Sequence, residues 1–392
     1  MISVEEALAN CLSLVTPLET ELIALRHACG RMMPNAAIAT RDQPPFSASA
    51  MDGYAIAADP APGDTFAVIG QSAAGHAFHG AIGPGQAVRI FTGAPVPQGA
   101  TRVVIQEDVE AKDSIITIKP NADTSRHIRP QGQDFKAGQA LSPRLLRPND
   151  LALLAAMNVG QITVTRRPIV ALIATGDELV MPGDQPNPDQ IIASNTFALA
   201  ALAEATGAIA RILPIAPDRE ADLRHILTLT EGADLIVTIG GASVGDHDLV
   251  AKVAADMGLE RAFWKIAMRP GKPLMAGCLN GIPMLGLPGN PVSSIVCAHL
   301  FMLPMLRAMQ SYLVNTPDPR RATLATDVDA TGPRAHYMRA RLTQTDGLPQ
   351  ITPFDRQDSA LLKLLSDADA LLIRPLGDGP RRAGDSVTYL PI

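Results

Sequence analysis

The chain has 392 residues, 47% hydrophobic and 18% charged, a globular composition long enough to require more than one core. Acidic residues outnumber basic ones 39 to 33, for a formal net charge of −6, and Trp264 is the single tryptophan in a chain that is only 4% aromatic, so neither a basic track nor a stacking platform for nucleic acid is present. The start of the chain lacks a basic-then-apolar leader pattern, no apolar run is expected to cross a membrane, and Cys11, Cys29, Cys278 and Cys297 have no metal- or redox-type spacing; this predicts a reduced, cytoplasmic protein with small buried thiols.

In chain order, residues 2–37 are expected to be helical, opened by a Ser3/Glu6 capping box. Residues 38–60 read as irregular. Between 64 and 130, β-rich runs at 66–69, 87–91, 102–105 and 114–118 alternate with Gly/Pro turns, predicting a small β-domain. Helix is expected again over 135–160, clearest at 151–157, which makes the β-domain an insertion into a helical one. From 168 to 312 strand and helix alternate. Strands are expected at 169–174, 210–215 and 235–239, and helices at 194–206, 218–230 (Asp218 as N-cap) and 248–257, the pattern of a mostly parallel sheet covered on both faces. Pro317 and Pro319 mark a linker, and 322–392 reads as an all-β C-terminal domain. The predicted class is multidomain α/β plus β. Its parts are an extended helical domain (1–45 and 135–165), an inserted β-domain (46–134), a three-layer αβα domain (166–315) and a barrel-like C-terminal β-domain (316–392).

Four segments belong at the carboxyl ends of the αβα strands, where open α/β sheets bind ligands. TGDEL at 175–179 sets Asp177 and Glu178 beside a glycine turn. GGASVGDHD at 240–248 offers backbone N–H groups to an oxyanion without matching a P-loop or a dinucleotide fingerprint. KIAMRPGKP at 265–273 gathers Lys265, Arg269 and Lys272, cations suited to phosphate. GLPGNPVSS at 286–294 puts Pro291 at a first helical position, with Ser293 and Ser294 in the first turn. Each alone is accounted for by a cap or a solvated loop; together they predict a site for an anionic, phosphate-bearing ligand. Elsewhere, Asp52 before Gly53 is either a turn former or a presented carboxylate, Thr92 lies at a strand tip, and RPQGQD offers Arg129 and Asp134.

PPFSASAMDGYA, FTGAPVP, RPQGQDF, ATGDEL, GGASVGDHD, FWKIAMRPGKP and GLPGNPVSS follow one another in this order. Taken end to end, the chain resembles the molybdopterin molybdenumtransferase family, which includes bacterial MoeA and the E domain of animal gephyrin. The resemblance implies a molybdopterin-binding αβα domain and a homodimer whose cleft lies between domains of two subunits. The implied reaction joins molybdate to adenylylated molybdopterin with release of AMP, assisted by Mg²⁺. It implies that Asp52, Thr92, Glu178, Asp218 and Asp248 are catalytic, with Asp52, Glu178 and Asp248 as metal ligands. The implied substrate contacts are Arg129, Asp134, Gly241, Ser243, Gly245, Lys265, Arg269, Lys272, Pro288, Asn290, Pro291 and Ser293. A molybdopterin adenylyltransferase and molybdoenzyme chaperones are implied as partners. The sequence departs from the family pattern at Ala48 (often Asn), Arg269 (often Lys), and Gln131 and Gln133 (often acids). Two alternatives stay open: an adenylyltransferase-like enzyme, or a non-catalytic cofactor-binding scaffold.

Overall fold

The computed structural model describes residues 1–241 and 249–392, in two compact units. One unit comprises Met1–Glu21, Gly30–Pro34 and Thr165–Ile392; the other comprises Leu22–Cys29 and Asn35–Val164.

In the smaller unit, six strands run in the order Arg102–Ile105, Gly53–Ile56, Gln86–Ile90, Thr65–Ser72, Ile115–Ile118, Val109–Lys112. The expected strands are present. The sheet also recruits Gly53–Ile56 and Val109–Lys112, the first from a stretch that reads as irregular because of its prolines and glycine. Alternate residues bury on opposite faces: Ile56, Phe66, Ala87 and Ile116 pack in one cluster, and Ala55, Val88, Ile90 and Val103 in another. Of the expected 135–160 helix, Pro148–Ala156 forms, with Pro148 in its first turn. The residues before it make two-residue strands instead, Ala140–Leu141 pairing with Ala37–Ile38.

The larger unit opens with helix Val4–Ser13, where Ser3 Oγ accepts from the Glu6 N–H and Glu6 accepts from the Ser3 N–H. That cap is as expected; the extent of the helix is not. Pro17 ends any continuation, and the Thr20–Ala24 stretch becomes a strand rather than helix. A six-stranded sheet follows in the order Ile209–Ile212, Ile169–Ala174, Leu235–Ile239, Ile282–Leu287, Met275–Leu279, Leu259–Trp264. The first four strands are parallel, and Met275–Leu279 runs antiparallel to both its neighbours. Val170, Leu172, Leu235, Val237 and Leu285 face helix Asn195–Ala205 and the Pro291–Met309 helix. Ile173, Ile236 and Met284 face helices Glu220–Thr228 and Leu249–Asp256. This is the expected three-layer arrangement. The strand from 210 stops at Ile212 because Pro214 cannot donate to the ladder, and the following helix is capped by Arg219, not Asp218.

Pro291–Met309 is 19 residues long with a mean hydropathy of 1.6, enough to span a bilayer, contrary to expectation; 78% of its apolar window is buried inside the protein, which makes it a core helix. The C-terminal strands close into a five-stranded barrel, Ala335–Thr343, Gln350–Pro353, Arg320–Leu324, Ser386–Pro391, Ala370–Arg374 and back to Ala335–Thr343. Ala322, Leu324, Ala340, Ile351 and Leu372 fill it. Among the cysteines, Cys11 and Cys297 are buried as expected, whereas Cys29 is exposed and Cys278 only partly covered.

Candidate functional site

The carboxyl ends of three parallel strands open onto a cavity of about 1050 Å³ in the larger unit. Ala174 and Thr175 end the first strand, Ile239 to Gly241 the second, and Pro288 to Pro291 follow the third. Ser194, Asn195 and Thr196 bring the N-terminus of a helix to the same wall. Close backbone packing sets this corner. Thr175 N–H donates to Ile239 O, and Gly240 N–H to Leu287 O. Gly240 has φ +96°, and a Cβ there would lie 2.8 Å from Thr175 O. The Gly240 amide is therefore committed to the sheet and is not free for a ligand; residues 242–248 of that loop lie outside the described residues.

Glu178 and Asp218 both line the cavity. Glu178 folds back over Gly176, where a Cβ would stand 2.2 Å from its carboxylate; the backbone φ of +142° at Gly176 leaves room for that acid. Asp218 is held by its own N–H, which donates to Asp177 Oδ1 at 3.0 Å. Asp177 is thus a support for Asp218. Gly241, Pro288, Asn290 and Pro291 complete the expected residues in this wall, with Pro291 at the helix start as expected. Asn195 Nδ2 donates to Gly289 O at 2.7 Å, and Asn290 Nδ2 to Ser359 Oγ at 3.1 Å, so a loop from the C-terminal strands reaches the rim. Sequence reading missed Asn195, Ser359 and the Glu220–Lys252 ion pair, all of which depend on contacts between distant segments.

The basic segment lies elsewhere in the same unit. Lys265 has φ +69° and stacks its ammonium 4.0 Å from the Trp264 ring centroid. Ile266 N–H donates to Lys272 O, closing the turn, and Met268–Arg269 pairs in parallel with Ala335–His336 of the barrel. His336 is depressed to about 4, first by burial and then by Arg269, Arg374, Arg334 and Arg339. Of this segment only Pro273 lines the cavity. Ser293 is buried in its helix and does not reach the cavity.

In the smaller unit, strand Gly53–Ile56 runs antiparallel to Gln86–Ile90, with Gly53 opposite Ile90. The start of one strand therefore lies beside the end of the other, and Asp52 meets Thr92. Thr92 N–H and Thr92 Oγ1 both donate to Asp52 Oδ1, at 2.7 and 2.8 Å. These bonds, the backbone one first, hold the Asp52 carboxyl below its ordinary range. Asp52 is thus a positioned, ionised carboxylate rather than a bare turn former. Arg129 and Asp134 line a separate cleft of about 610 Å³ with Pro44, Phe46 and Gly93. Ser243, Gly245 and Asp248 lie outside the described residues. Among the described residues no group of three acids, histidines or cysteines could by itself hold a metal.

An αβα unit with a glycine-cornered, acid-lined cavity at the carboxyl ends of its parallel strands defines an α/β protein of the ligand-binding, three-layer class. More specifically, the chain belongs to the molybdopterin molybdenumtransferase family. Residues 2–158 match the MoeA N-terminal region (domains I and II), 171–308 the probable molybdopterin-binding domain, and 321–392 the MoeA C-terminal region (domain IV). A molybdopterin molybdenumtransferase of Nostoc sp. is 32% identical, over 95% of this chain and 89% of its own. One from Haemophilus influenzae is 31% identical, over 100% and 98%. The molybdopterin biosynthesis MoeA protein of Pyrococcus horikoshii superposes with a TM-score of 0.86 at 28% identity, covering 100% of this chain and 99% of that one.

Proposed function

We propose that this transferase of molybdenum cofactor biosynthesis passes molybdenum from molybdate to adenylylated molybdopterin and releases AMP. The observation that carries the reading is the cavity at the strand ends, which brings Glu178 and Asp218 to backbone turns of a shape suited to phosphate groups. Its described lining contains three carboxylates, Glu178, Asp218 and Glu220, and one ammonium, Lys252. Such a lining repels a phosphate-bearing ligand unless a divalent cation stands between them. Mg²⁺ fits: it binds proteins through one or two carboxylates and completes its shell with water and substrate phosphates, so no three-acid cluster is required. Of the described cavity lining, Glu178 is the proposed ligand; Asp52 and Asp248 are proposed as further ligands on the family resemblance alone. The ion would supply charge neutralisation at the phosphoanhydride.

The chain's own residues do the remaining work. Asn290 and the prolines around it give the wall a fixed shape. Asp177 fixes the Asp218 backbone, and Thr92 keeps Asp52 ionised and aimed. Arg269, Lys272, Lys265 and Arg129 do not line this cavity; the family resemblance alone proposes them as the source of positive charge for phosphate and molybdate oxygens. A homodimer and a cytoplasmic setting belong to the same proposal.

The test is incubation of the purified protein with adenylylated molybdopterin, molybdate and MgCl₂. AMP release that depends on molybdate, together with reconstitution of a molybdenum-dependent apoenzyme, is expected. AMP transfer from ATP to molybdopterin would reject the reading in favour of an adenylyltransferase. Binding without turnover would favour a scaffold.

A further inference from the structure

Asp52 is held at its carboxylate by Thr92, but two main-chain contacts decide where its Cα sits. Gln106 N–H donates to Asp52 O at 3.0 Å, and Arg89 Nη1 donates to Gly53 O at 3.1 Å. Arg89 Nη2 also donates to Gln106 Oε1 at 2.6 Å, so one guanidinium ties both contacts together. Arg89 lies opposite Tyr54 in the antiparallel register, and Phe91 follows it by two residues on the same face. Its Cζ stands 4.9 Å from the centroids of both rings. An arginine flanked by two aromatic rings and bonded on two nitrogens has few rotamers left, and a lysine can reproduce the charge but not the planar fork.

We propose that Arg89 is the positioning residue for Asp52, clamping the Asp52–Gly53 corner so that the carboxylate stays within reach of both Thr92 donors. Arg89 acts through Asp52 and touches no substrate. The inference rests on the reading of Asp52 as a functional acid.

The experiment compares Arg89→Met, Arg89→Lys and Asp52→Asn with the native chain by steady-state kinetics of molybdate-dependent AMP release, with hydrogen–deuterium exchange of the 89–94 peptide. For Arg89→Met, the expected result is kcat lower by about 10- to 100-fold with KM within about twofold, as misplacement of a reacting group by an ångström predicts. Exchange at Thr92 rises. Arg89→Lys, which keeps the charge but not the planar fork, is expected to lower kcat to an intermediate value with KM again near native, a split between kcat and KM that a purely structural role does not produce. If Arg89→Met fails to fold, Arg89→Lys decides the matter alone. Native kcat and native exchange in the folded Arg89 variants, with Asp52→Asn inactive, overturn the positioning role. Native turnover in Asp52→Asn removes the reading of Asp52 itself.

Discussion

Gly53 has no room for a side chain: a Cβ there would lie 1.9 Å from Val104 O. Gly53→Ala must push strand Gly53–Ile56 away from the edge strand Arg102–Ile105, and a loss of about 2 kcal/mol in urea unfolding is expected; a native midpoint would contradict the close approach. The neighbouring Asp52 makes a second test. Because its folded-state value is depressed, it stays charged above the ordinary carboxylate range and is protonated only as pH falls through that lower value. Thr92→Val removes one of two donors to Asp52 Oδ1 and leaves the amide, so the acid limb of AMP release should shift to higher pH while the neutral-pH plateau falls only in part. An unmoved acid limb would show that Asp52 does not set it. Asp52 and Gly53 stand out in the sequence as a pair suited to a turn, but the bonded partner forty positions away does not; only the antiparallel register brings Thr92 there.

At the level of elements, the turn carrying Arg269 and Lys272 rests on the long core helix. Gly271 has φ +107°, and a Cβ there would be 2.5 Å from Cys297 Sγ. Gly271→Ala should cost about 1–3 kcal/mol, and Cys297→Ala should recover part of it, which a double-mutant cycle measures; additive effects would mean the two residues do not meet. Strand Leu235–Ile239 was legible in full because a buried parallel strand is a continuous apolar run. The stretch from 14 to 37 was not, because Thr20–Ala24 and the two-residue strands after it are stabilised by partners far along the chain, and short runs carry no period of their own. Motif positions in the αβα layer could be read because strand–turn–helix order puts them at one end of the sheet. Lys252 and Ser359 could not, since Lys252 reaches the cavity from a helix, and Ser359 reaches Asn290 on its wall from a turn, in stretches whose local sequence is ordinary.

For the larger unit as a whole, acid sensitivity follows from two histidines. His299 and His336 are both depressed to about 4, chiefly by burial. The unfolded chain takes up those protons below about pH 6.5, whereas the folded chain does so only near 4. Stability should therefore be flat above pH 6.5 and fall between 6.5 and 4. Replacing both histidines with glutamine should flatten the melting temperature over that window, and an unchanged slope would exclude them as its source. The barrel adds its own term at lower pH. Arg381, and then Arg374, hold the Asp378 carboxyl below its ordinary range, and Arg374 is almost wholly buried. That contribution is complete above the ordinary carboxylate value of about 3.9 and is lost as pH drops through the folded value. Asp378→Asn should melt well below the native chain at pH 7 and approach it below about pH 4.

The helix Pro291–Met309 owes its place in water to what covers it. Val4, Ala7 and Cys11 of the first helix share its core cluster, as do Tyr337, Leu371 and Leu390 of the barrel. Strands Ile169–Ala174, Leu235–Ile239 and Ile282–Leu287 would still shield one side of the long helix if either end were removed. Losing the first helix or the barrel would bare the other side, so poor solubility is the expected outcome of such truncations.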